Sequence, residues 1–278
     1  MRVDLHVKAF PDSVRDSREE YLQDMTFQAM YASDSARLGS VPELIDSMDH
    51  NSIDQAVLTS IGWSEHAHCV EINDFILEAA SEYNSRIVPF CIVNPLAGRD
   101  AVLEVERCAR RGARGVGELH PDTQGFDLAD QRVLQPLMDT ARYNEMLVLT
   151  HSSEPVGHQY PGKGNQRPDV LLSFAENFPD NTIVMSHWGG GLPFYNLMPE
   201  VRNALSNVYF DTAATSFLYD ARVFESAVGL VGAERILFGS DFPLIAQERV
   251  LKELDDAGID AEARNLIAGG NAKRILGL

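Results

Sequence analysis

Short apolar runs that each close on a polar residue or a turn, alternating with longer stretches of helical spacing, constrain this 278-residue chain more than any other feature. The clearest is Ile236-Leu237-Phe238-Gly239-Ser240-Asp241-Phe242-Pro243, where an apolar run climbs to a carboxylate and proline forbids the strand from continuing. The others are Val3 to Val7, Ile53 to Thr59, Ile87 to Val93, Ala113 to Leu119, Met146 to His151, Ile183 to His187 and Val208 to Asp211. Between them lie amphipathic stretches such as Glu43 to Asp49 after Pro42, Glu65 to Asn84, Asp100 to Arg111, Asp130 to Asn144 and Tyr219 to Val231. Strand and helix alternating eight times predict an α/β fold, a (β/α)₈ TIM barrel forming one domain over residues 1–278. A doubly wound open sheet is the rival, but no G-x-G-x-x-G follows any strand.

A parallel barrel carries its chemistry at the C-terminal ends of its strands. There this chain places His6 and Lys8, then Glu118 and His120, then His151, His187 and Asp241. Strict alternation along the first strand predicts that Asp4, His6 and Lys8 share one face. Two longer segments are expected over the mouth. One is an acidic, Ser-rich insertion at about 9–39 built of loop and short helices; the other is a polar loop over 152–168 carrying His158, Tyr160, Lys163 and Arg167.

Charge narrows the partners. With 41 acidic against 23 basic residues the formal charge is -18, which repels phosphate backbones and anionic lipid, so neither nucleic acid nor membrane is expected. A small-molecule substrate is, and a local cluster of cations can still attract an anionic one. Cys69, Cys91 and Cys108 are odd in number and show no C-x-x-C spacing, as for reduced core thiols. No apolar run approaches the ~18 residues of a membrane span and no leader precedes the first strand, so a cytoplasmic protein is expected.

Asp4-Leu5-His6, His151, Ser186-His187-Trp188-Gly189-Gly190, Gly239-Ser240-Asp241-Phe242-Pro243 and the closing Asn271-Ala272 occur in this order. Together they resemble the amidohydrolase superfamily in its amidohydrolase-2 branch, over essentially the whole chain. The resemblance implies a divalent-metal site at the C-terminal face of the barrel. It also implies hydrolysis or, in some members, non-oxidative decarboxylation or lactone opening, and it suggests a homodimer. Two positions depart from the family pattern. Lys8 stands where a His-x-His motif has its second histidine, and Glu118 stands where many members carry lysine. A lysine ammonium has no lone pair for a metal. Glu118 can compensate as a ligand, or Lys8 and Glu118, both pointing into the barrel, can pair with each other.

The resemblance assigns a metal site of His6, Glu118, His151, His187 and Asp241, with zinc expected and manganese the alternative. Asp241 and His187 are then catalytic, with Asp241 accepting the proton of a metal-bound water. Asp241 on its own reads equally as a helix cap, and His187 as a satisfied buried histidine. Lys8, His120, His158, Tyr160 and Trp188 are the candidates for substrate contact. His120 reads equally as a solvated loop residue and Trp188 as packing. The leading expectation is a metal-dependent hydrolase of a small carboxylated ester, lactone or amide. The alternatives are decarboxylation of an aromatic or enoic acid in the same site, and a metal-free ligand-binding barrel motivated by Lys8.

Overall fold

A computed structural model describes residues 1–278. Eight parallel strands pair in chain order: β1 (Val3–Lys8), β2 (Gln55–Thr59), β3 (Ile87–Cys91), β4 (Gly115–Leu119), β5 (Leu147–Thr150), β6 (Ile183–Met185), β7 (Val208–Asp211) and β8 (Ile236–Leu237). The last strand returns to the first through main-chain bonds from Leu5 N to Phe238 O at 2.8 Å, Asp241 N to His6 O at 2.9 Å and Lys8 N to Phe242 O at 2.7 Å. The sheet is thereby closed, and the expected (β/α)₈ barrel is the fold. Strand eight is shorter than its apolar run, because the chain leaves regular pairing at Phe238 while still hydrogen-bonding to β1.

The core has two parts. A small interior cluster, including Val3, Leu5, Val57, Phe90, Leu149, Val184 and Leu237, fills the lower barrel. Ala272 and Leu276 of the helix Asn271–Leu276 plug it from below. Asn271 anchors that helix by donating its amide to Ala233 O and Ile236 O, both at 2.8 Å. The larger cluster lies between the strands and the surrounding helices. Those helices follow the sequence pattern to within a few residues: Val41–His50, His66–Glu82, Arg99–Arg110, Gln131–Tyr143 and Val223–Val231. All three cysteines are buried free thiols, and no helix is long and apolar enough to cross a membrane.

The insertion folds as short helices Asp12–Asp16, Arg18–Tyr21 and Met25–Tyr31. The Asp24 carboxylate ties it to the loop after β2 by accepting from Thr26 N, Phe27 N, Ser64 N and Glu65 N at 2.8–3.2 Å. Phe27 stacks on Trp63 at 5.2 Å, and Tyr31 packs on Phe10 and Phe27.

Regular alternation fails on two strands. Between Asp4 and Val7 strand β1 carries one residue more than β2, and between Val116 and Leu119 strand β4 carries one more than β5. Such bulges reverse the facing of the residues beyond them. Asp4 therefore does not share a face with His6 and Lys8 as strict alternation predicts. It accepts from Ser240 N at 2.9 Å and from the Gln247 amide at 2.8 Å, on the helix Gln247–Asp256. Beyond the bulges His6, Lys8 and Glu118 turn into the barrel mouth.

At the β4 bulge Gly117 adopts φ +125°, a region costly to any residue with a Cβ, and a Cβ there would strike the Leu149 carbonyl oxygen. Gly117→Ala is expected to lower unfolding free energy by on the order of 3 kcal/mol, measured by urea denaturation. A loss below about 0.5 kcal/mol would show that the bulge is not fixed by this glycine.

Candidate active site

Glu118 lies at the centre of the barrel mouth, fully buried, with imidazoles on several sides. Its Oε2 is 3.2 Å from His6 Nε2 and 3.0 Å from His120 Nε2. Its Oε1 is 3.1 Å from His151 Nδ1 and 3.6 Å from His187 Nε2, and accepts a hydrogen bond from the Ser186 hydroxyl at 3.0 Å.

The outer nitrogens of three of these rings decide their tautomers. His6 Nδ1 faces Asp211 Oδ2 at 2.9 Å, His151 Nε2 faces the Lys163 carbonyl at 3.1 Å, and His187 Nδ1 faces the Ala213 carbonyl at 3.1 Å. Carbonyls and carboxylates only accept, so each outer nitrogen carries the proton of the neutral ring. The inner nitrogens then present lone pairs toward Glu118, itself an acceptor. Lone pairs converging on a buried carboxylate require cations between them.

One such cation is Lys8. Lys8 Nζ is 2.6 Å from Asp241 Oδ1, 2.8 Å from His6 Nε2 and 3.2 Å from Glu118 Oε2. The pairing of Lys8 with Glu118 that the sequence left open is present. Two hydrogen bonds of the ammonium go to Asp241 and His6, Glu118 lies at ion-pair distance, and Lys8 also lines the cavity, where it was expected to meet a substrate. Burial alone would push both carboxyl groups up. Lys8, the strongest opposing influence, reverses this, holding Asp241 down at about 2 and Glu118 well below the usual carboxylate range.

A second cation fits on the other side of Glu118. Ligand atoms of Glu118, His120 and His151 lie within 4.8 Å of one another, and all three residues are buried. His120 Nε2 and Glu118 Oε2 have no hydrogen-bond partner despite their burial. Burial, against the pull of Glu118, lowers His120 to about 4, so its ring is neutral near pH 7 with a lone pair to give. Two imidazoles and a carboxylate suit a divalent transition ion. The ion-holding group thus includes His120, first read as a substrate contact. His6 and Asp241 surround Lys8 instead.

The remaining candidates divide. His158 and Tyr160 line a cavity of about 420 Å³ above Glu118, with Lys8, His120, His151, His187 and Asp241 at its polar end. Met30, Tyr31, Phe217, Leu218 and Leu244 supply apolar wall. Trp188 is not part of it: the ring is buried, donates from Nε1 to Thr215 Oγ1 at 2.9 Å and packs edge-on against Phe224. Lys163 holds its own loop, donating to Val156 O and His158 O at 3.0 and 2.9 Å. Arg167 is half-exposed and pairs with Asp169.

Two residues had escaped sequence reasoning. Asp211 ends β7 as Asp241 ends the run of β8; it accepts from the His187 and Ala213 amides at 2.9 and 3.0 Å as well as from His6. It fixes both histidines at once, and its place at a strand end was the available signal. Arg37, from the insertion, reaches the cavity wall, and nothing local in the sequence marks it.

The family model described as Amidohydrolase, of the amidohydrolase-2 branch, matches residues 3–278, and the chain belongs to that family. It is 21% identical over 277 residues to 2-amino-3-carboxymuconate-6-semialdehyde decarboxylase of Dictyostelium discoideum, covering 84% of this chain and 76% of the relative. It is 27% identical over 195 residues to 6-methylsalicylic acid decarboxylase of Penicillium expansum, covering 59% of each. Among solved structures, 5-carboxyvanillate decarboxylase of Novosphingobium aromaticivorans, complexed with manganese and a nitrobenzoic acid, superposes with a TM-score of 0.82 at 18% identity. That match covers 100% of this chain and 96% of the other.

The Asp241 pairing predicts a pH dependence. Its carboxyl titrates at about 2 in the folded chain against an ordinary 3.8, so its stabilisation is complete above the unfolded value and is lost as pH falls toward 2. The stability advantage of the parent over Asp241→Asn should shrink by about 1 kcal/mol between about pH 5 and about pH 3, read by urea unfolding. An advantage constant over that range would contradict the Lys8–Asp241 bond.

Proposed function

We propose that this amidohydrolase-family barrel is a metal-dependent decarboxylase, removing carbon dioxide from an aromatic or enoic carboxylic acid without oxidation. The observation that carries the reading is a partly apolar cavity with, at its polar end, a buried cluster of acceptors able to hold a divalent ion. Family membership supports it, as do the two relatives, both named as decarboxylases. Neither is named as a hydrolase. Hydrolysis of an ester, lactone or amide, the leading expectation from sequence, therefore gives way to its alternative.

Glu118, His120 and His151 would hold the ion, and manganese, the ion named with the solved relative, is preferred to the zinc first expected. A divalent ion there supplies a Lewis-acidic anchor for substrate oxygens. The rest falls to the chain's own groups. Met30, Tyr31, Phe217 and Leu244 exclude water and orient a planar acid. Asp241, ionised and bonded to Lys8, holds no proton at neutral pH and is not the resting acid.

His187 lines the cavity, and although burial opposes it, the bond to Glu118 and its charge raise the ring's pKa. We assign it, in the doubly protonated form that the raised pKa favours, as the proton donor through Nε2. The carboxyl carbon leaves as carbon dioxide, its bonding pair stays on the substrate carbon, and the His187 proton forms the new C–H bond. Solvent then restores the proton. Arg37, besides Lys8 the basic side chain of fixed charge on the cavity wall, receives a second anionic group of the substrate.

Assay of a panel of hydroxybenzoic and dienoic acids against lactones and esters tests the reading. Release of carbon dioxide, with one deuterium fixed in the product in heavy water, is expected. A new carboxylate with no lost carbon would replace the reading with hydrolysis. His187→Gln should lower kcat by about 10²–10⁴-fold. Arg37→Gln should raise KM about tenfold and leave kcat within about twofold, since the anchor acts equally on ground and transition states.

A further inference from the structure

We infer that the Lys8 ammonium is the resident cation of the His6–Glu118–Asp241 corner, so that a divalent ion is confined to the opposite corner, on Glu118, His120 and His151. The inference rests on the metal-binding part of the proposed function. It adds which half of the polar centre is open to an ion, and what closes the other.

His6 gives its Nδ1 proton to Asp211, so its Nε2 is a lone pair. Asp241 Oδ1 and Glu118 Oε2 are anionic. These three atoms converge on one buried point, and without Lys8 that point would be a cation site of one imidazole and two carboxylates. Lys8 Nζ sits at it, at 2.8, 2.6 and 3.2 Å. Those are hydrogen-bonding and ion-pair separations for an ammonium, and an ion bound to the same atoms at about 2.0–2.2 Å would overlap it. The side chain is 2% exposed, starts from β1 and is held by its hydrogen bonds to His6 and Asp241.

Across Glu118 the situation is reversed. His120 Nε2 and His151 Nδ1 both face the carboxylate, at 3.0 and 3.1 Å, and Lys8 lies on its other side. The two rings stack with centroids 4.6 Å apart, presenting their nitrogens side by side. Glu118 Oε2, which meets Lys8 as an ion pair at 3.2 Å, and His120 Nε2 are buried without a hydrogen-bond donor. One carboxylate thus serves a covalently attached monovalent cation on one side and a removable divalent cation on the other. Because the two share Glu118, filling the Lys8 corner with a second divalent ion requires removing the ammonium.

Manganese content and thermal unfolding with and without manganese, on the full chain, test this. The parent should hold about one equivalent. His120→Gln should lose it although Lys8, His6 and Asp241 are intact, and His6→Gln should keep it. Lys8→His should gain a second equivalent, or bind manganese at least tenfold more tightly, with a larger manganese-induced rise in Tm than the parent. If Lys8→His fails to fold, Lys8→Met serves, its unfolding reversed by manganese but not by magnesium.

The inference is overturned if the parent loses its ion on His6→Gln but not on His120→Gln, or if the Lys8 variants bind manganese as the parent does. A parent that binds none while Lys8→His binds one would uphold the role of Lys8 and sink metal-dependent decarboxylation instead.

Discussion

Burying Glu118 creates the problem that the upper half of this barrel is built to solve. A carboxylate with no solvent contact is tolerable only if positive charge or donors meet it. Here most of its neighbours are imidazole nitrogens, three of which offer lone pairs inward whenever their rings are neutral. Ser186 gives one hydroxyl donor and Lys8 one ammonium. Everything else at the site follows from how the remaining negative potential is balanced. Asp241 adds a second carboxylate beside the ammonium, and Asp211 holds the His6 ring and the His187 backbone N–H from behind.

That balance gives the two strand-end aspartates different work, though they occupy equivalent places in the barrel. Asp241 faces a fixed cation, is held ionised and cannot store a proton. Asp211 faces N–H groups and acts as an orienting acceptor for His6 and His187. A single departure from the family's sequence pattern, Lys8, thereby separates the roles. The residues whose ligand atoms cluster closely enough to hold an ion, Glu118, His120 and His151, lie on the other side, at β4 and β5. Above this floor, the insertion and the loop after β5 supply walls. Asp24 and Lys163, both buried and charged, spend their bonds on loop backbone, which gives these connections a defined shape over the cavity.

Much of this was legible in the sequence for physical reasons. Apolar runs of strand length separated by helical periods leave few ways to bury both faces of a sheet, and the closed parallel barrel is the one that fits eight of them. Polar residues at the ends of such runs must lie at the barrel rim, so His151, His187 and Asp241 were found without coordinates. So was the complementary pair Lys8 and Glu118, since opposite charges pointing into one small interior attract. Trp188 shows the limit of such reading. Its place beside a site histidine suggested substrate stacking, but local sequence carries no sign of the Thr215 and Phe224 partners that turn it into the core.

What the sequence by itself determined, then, is the barrel, the rim and the list of groups capable of chemistry. Periodicity and residue type act locally and survive any detail of packing. Only the tertiary structure decided which groups meet. An extra residue in β1 and another in β4 leave no mark in a hydrophobic pattern, because a bulge is defined by pairing with the neighbouring strand. Yet these two residues send Asp4 out and bring His6, Lys8 and Glu118 in. They set the ammonium among its three acceptors, and that placement depends on distances no single strand contains.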